Sequence, residues 1–93
     1  MKTHNFSEDS VPYFSWDRNL TVRDIKTQLR DLNGTPRDRL IAWIMREAAF
    51  PHVWEFVTPR EVSERLPHLE KYLSRKKTFW KYIIGAWHEL GKL

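Results

Sequence analysis

The chain has 93 residues, no Cys and a formal charge of +4. That length holds one domain with one small core. The missing Cys excludes disulfides, thiolate metal sites and a Cys nucleophile, and 41% apolar residues with five Trp, five Phe and three Tyr exclude a disordered chain.

The first 20 residues show neither helical nor strand period. Lys2 is followed by His4, Ser7, Glu8 and Asp9 with no apolar stretch, so no secretory signal is expected and the protein is read as cytoplasmic. Phe6, Val11, Tyr13, Phe14 and Trp16 are too apolar for a free tail. Residues 1–20 are therefore expected to form an extended aromatic arm, docked on its own domain or on a partner.

Residues 21–93 are expected to form a single helical domain. Thr21 with Asp24 three residues on is a short capping box. Val22, Ile25, Leu29 and Leu32 follow at helical spacing, and Asn33-Gly34 is a stop signal. Thr35, Pro36 and Asp38 predict a new start, with Thr as cap, Pro at the first position and the acid facing the dipole. The tract from Leu40 to Ala48 is apolar on more than one side, which predicts the most buried helix. It ends before Pro51. Residues 51–57 predict a helical turn or a short extended piece, anchored by Trp54 and Phe56.

Thr58-Pro59-Arg60-Glu61 repeats the start grammar of residues 35–38. The helix it opens carries Val62 and Leu66, bends or stops near Pro67, and continues briefly through Leu69, Tyr72 and Leu73. Ser74 is expected to cap the last helix, over roughly 75–90. Phe79, Ile83, Ala86, Trp87 and Leu90 are its expected main face, widened by Trp80 and Ile84, and Gly91 ends it. No stretch alternates as a half-buried strand does. The fold class expected is all-α: a compact bundle of four to five short helices with an extended N-terminal arm. No apolar run approaches the roughly 18 residues of a membrane span.

Charge is distributed unevenly. Residues 71–93 carry six Lys or Arg against one Glu, whereas residues 1–70 carry ten basic and eleven acidic groups. Arg75, Lys76, Lys77 and Lys81 crowd the start of the last helix, where cations oppose the helix dipole. An anionic partner is one reason to place them there.

No enzyme is expected. No two of His4, His52, His68 and His88 stand at i, i+4, and no HExxH, GxSxG, P-loop or dinucleotide fingerprint is present. No catalytic residue, metal ligand or cofactor is assigned. Two binding readings remain. In the first, the arm residues Tyr13, Phe14 and Trp16 contact another protein, since aromatic side chains are enriched at interface cores. In the alternative, residues 58–93 resemble a helix-turn-helix. Thr58, Val62 and Leu66 would hold the scaffold, and Arg75, Lys76, Lys77 and Lys81 would face DNA. The tract 67–74 is longer than the usual turn of that motif. Monomer and homodimer both stay open.

From Tyr13 onward the chain also resembles a group of small bacterial helical proteins of unassigned function. The resemblance rests on Trp16-Asp17 with Asn19 and Thr21-Val22, on a central apolar run closing in Arg46-Glu47-Ala48, on Val53-Trp54 with Phe56 and Thr58-Pro59, and on Phe79-Trp80 with Trp87. Such proteins look like companions of abortive-infection-type nucleotidyltransferase toxins. The resemblance implies an antitoxin or accessory role, marks Trp16, Arg46, Glu47, Trp54 and Trp80 as matching positions, and brings no catalytic residues.

Overall fold

Thr21 opens the first helix as its sequence predicts. In the computed structural model, which describes residues 7–92, the Thr21 hydroxyl accepts from the Asp24 N–H, and the Asp24 carboxylate accepts from the Thr21 N–H, both at 3.0 Å. Helix α1 runs Val22–Asp31. The chain before it satisfies the donors the box leaves over: Ser10 and Glu8 carbonyls accept from the Val22 and Arg23 N–H groups, each at 2.9 Å. Val22, Ile25 and Leu29 are buried, and Leu32 packs at the core edge.

Helix α2 spans Gly34–Glu47. It begins one residue before the expected Thr35 cap, at a left-handed Gly34 with φ 63°. Asp38 was expected to serve the helix dipole, but it is buried and takes a different partner. Its two carboxylate oxygens accept from Arg65 Nε and Nη2 at 3.1 and 2.6 Å. That hydrogen-bonded pair raises the Arg65 pKa further above its ordinary value and clamps α2 to α4. The rest of α2 is the central helix, with Leu40, Ile41, Ala42, Trp43, Ile44 and Met45 all buried.

Residues 50–57 resolve into a short helix, α3 (Phe50–Val53), and a turn. Helix α4 is Pro59–Leu69, capped by the Thr58 hydroxyl, which accepts from the Glu61 N–H at 3.1 Å. It continues past Pro67 to Leu69, then tightens into two 3-10 turns, Glu70–Tyr72 and Ser74–Lys76. Helix α5 is Lys77–Glu89, and Gly91 follows with φ 72°. Ser74 does not cap α5. It sits in the left-handed region with φ 53°, whereas a capping residue needs extended backbone.

No strand occurs among the described residues, and the fold is an all-α bundle. α2 packs against α1, α3 and α4, and α5 closes over the last of these. The face of α5 turned inward is Trp80, Ile84 and half-buried Trp87, with Ile83 partly covered. Phe79 and Leu90, expected on that face, are exposed. The helix is rotated so that Trp80, 1% exposed, can donate its indole N–H to the Met45 carbonyl at 3.1 Å.

The described part of the arm, residues 7–20, docks on its own domain. Pro12 is extended and Tyr13–Ser15 make one 3-10 turn. Phe14 lies in the core, 3% exposed, edge-on to Trp43 and Phe56 at 5.4 and 5.8 Å. The Ser15 hydroxyl accepts from the Leu20 N–H at 2.9 Å. His4 and Phe6 lie outside the described residues.

Candidate functional site

The sequence singled out Tyr13, Phe14 and Trp16, and burial divides them. Phe14 is enclosed by its own domain and is accounted for by packing. Tyr13 is 52% exposed, yet its hydroxyl is anchored: it accepts from the Ala49 N–H at 2.6 Å and shares a hydrogen bond with His52 Nδ1 at 2.7 Å. Trp16 is 80% exposed. Phe14 and Ser15, both buried, fix the turn that precedes it, so the indole is presented from an ordered backbone. Val11 completes an exposed apolar group on this segment.

Arg75, Lys76, Lys77 and Lys81 are all exposed at the start of α5. Lys81 approaches Glu70 at 3.8 Å. Arg75, Lys76 and Lys77 make no ion pair among the described residues. Seven residues, arranged as two 3-10 turns, separate α4 from α5, which is longer than the short turn of a helix-turn-helix. Tyr82, 71% exposed, stands on the outer side of α5 near Lys81 and Gly85.

A second basic surface was not legible in the sequence. Arg18, from the segment before α1, lies with its guanidinium 4.4 Å from the centre of the Trp43 ring. Arg39 on α2 and Lys71 in the 3-10 turn both lie over Tyr72, at 5.5 and 5.4 Å. Arg46, one of the positions marked by the family resemblance, donates to the Tyr72 carbonyl at 2.8 Å and to Glu47 at 3.1 Å. These residues and Ser74 line one shallow groove. A second depression, lined by Gln28, Leu32, Thr35, Pro36 and Leu40, shares Arg18 and Arg39 with it. One signal could have found part of this. Arg39, Trp43 and Arg46 stand at i, i+4 and i+7, one stripe of the central helix. Nothing local links them to Arg18 or Lys71.

One further polar pair joins two helices. Ser63 Oγ and His88 Nε2 share a hydrogen bond at 2.6 Å across α4 and α5, but no carboxylate holds the other ring nitrogen among the described residues, as a catalytic triad requires. Among the described residues no three His, Asp or Glu side chains gather as a metal site would need, and no helix is long and apolar enough to cross a membrane. Of the other positions the resemblance marks, Trp54 and Trp80 pack edge-on at 5.7 Å in the core, while Glu47 is exposed beside Arg46.

Comparison with protein-family models, with curated proteins and with solved structures gives no match to this chain.

Proposed function

We propose that this domain is a non-enzymatic binding module of the cytoplasm that engages another protein through Tyr13 and Trp16. The observation that carries this reading is the placement of Trp16. A large aromatic left 80% exposed wastes apolar area that a small core could use, and here it follows a turn pinned by two buried residues. Trp is also the residue most enriched among the anchors that dominate interface energetics. The resemblance to companions of nucleotidyltransferase toxins would make such a toxin the partner, and the role that of an antitoxin or accessory protein.

The test is retention of a partner by tagged protein in extract of the native host, after nuclease treatment and at two salt concentrations. Wild type is expected to retain a stoichiometric protein, and Trp16→Ala to lose it while unfolding at the same temperature. Equal retention by the variant would remove Trp16 from the interface. The second reading, DNA binding through the start of α5, is favoured by exposed Arg75, Lys76 and Lys77, which lack acidic partners among the described residues.

A further inference from the structure

We infer that the groove along α2, bounded by Arg18, Arg39, Lys71 and Tyr72, is a binding site for single-stranded nucleic acid, independent of the Trp16 surface. Charge pairing gives the first reason. Arg23, Arg30, Arg37, Arg46 and Arg65 each make an ion pair with a carboxylate. Arg18, Arg39 and Lys71 make none among the described residues and are held instead against aromatic faces. An aromatic face orients a guanidinium without neutralising it. Three of the four cations lining the groove thus have set positions and uncompensated charge, and the fourth, Arg46, is paired with Glu47. Arg75, Lys76 and Lys77 continue the same sign just beyond Ser74.

Shape and lining select the ligand. The groove and the depression that shares Arg18 and Arg39 with it together follow α2 from Thr35 to Arg46, roughly 16 Å at 1.5 Å per residue. One end is cationic. The other end offers Leu32, Pro36 and Leu40 with the polar Gln28 and Thr35. A single strand presents both halves of this pattern, phosphates for the cations and unstacked bases for the apolar end. A duplex hides its base faces, and a purely acidic peptide such as polyglutamate offers carboxylates with no flat apolar group beside them.

The experiment is fluorescence anisotropy with labelled 12-mer oligothymidylate and oligouridylate, and with a duplex of the same length, across a salt series. The native protein is expected to bind the single strands, with a slope of log K against log salt near −2, about 0.7 for each of three neutralised phosphates. Arg39→Gln and Lys71→Gln should each weaken binding about tenfold and flatten the slope by about 0.7. Arg18→Lys, which keeps the charge and loses the planar stack, should fall between Arg18→Gln and wild type. Arg60→Gln, exposed on α4 outside the groove, should leave affinity unchanged. Circular dichroism melts establish that each variant is folded. The two oligomers tell whether DNA or RNA is preferred, and saturable binding of either with this variant pattern supports the site. Tighter binding of duplex that ignores Arg18 and Arg39, equal losses in Arg60→Gln, displacement by polyglutamate as effective as by unlabelled strand, or no saturable binding would each overturn it.

Discussion

Trp80 illustrates how one side chain can serve an element it does not belong to. The last ordinary helical bond of α2 is Ala48 N–H to the Ile44 carbonyl, at 2.9 Å. The next donor, the Ala49 N–H, turns away to the Tyr13 hydroxyl. The Met45 carbonyl would then be buried without a partner, and the Trp80 indole N–H supplies one. Trp80→Phe keeps an aromatic ring but removes that donor and opens a small void, so unfolding free energy should fall by about 2–3 kcal/mol. Urea titration checks this: the midpoint drops at an unchanged slope. Trp16→Phe, on the surface, should leave the midpoint where it is. Arg37 works in the same way as Trp80. Its Nε donates to the Leu29 carbonyl at the end of α1 at 2.8 Å, and its Nη2 pairs with Glu61 of α4. The sequence shows Trp80 and Arg37 as an apolar and a charged residue, and gives no sign that each closes a distant helix end.

At the scale of elements, starts were more legible than faces. The caps at Thr21 and Thr58 are local, made within four residues, and both form as their spacing predicts. Asp38 and Ser74 fit the same grammar and do something else, because a partner on α4 claims Asp38 and the backbone before α5 turns left-handed. Helix α5 shows the ambiguity of an aromatic-rich sequence. Both the Phe79 face and the Trp80 face satisfy the helical period, and the Met45 carbonyl on α2 together with the Phe50 and Trp54 rings favours the Trp80 face. The choice leaves Lys77, Thr78, Lys81 and Tyr82 outward together. If that side docks in a DNA groove, changing Lys76, Lys77 and Lys81 to Gln should weaken duplex binding and flatten its salt dependence by about 0.9 per lost phosphate contact. An unchanged slope in the triple variant would remove α5 from the DNA-binding reading.

At the scale of the whole molecule, the N-terminal segment is part of the domain. Phe14 fills the space between Trp43 and Phe56, Ser15 is buried, and Glu8 and Ser10 complete the start of α1. Deleting residues 1–20 should therefore cost more than the about 3–5 kcal/mol of a Phe truncation alone, a large share of the roughly 5–15 kcal/mol that holds a domain together. The expected result is a broad, low thermal transition in the truncated chain. A sharp transition at the full-length temperature would show the segment to be dispensable for folding. The sequence by itself determined the helical class, the stop at Gly91, the capped starts of α1 and α4 and the burial of the central helix, because caps, glycine conformations and apolar period act within one or two turns; Gly34, expected to stop α1, instead opens α2, two residues after α1 has ended in extended backbone at Leu32. Only the tertiary structure decided which face of α5 points inward, that Phe14 is core while Trp16 is surface, and that Arg18, Arg39 and Lys71 share a groove. Those outcomes depend on contacts between residues more than twenty positions apart, where competing helix faces are equally apolar and unpaired charge is settled only by what packing brings alongside it.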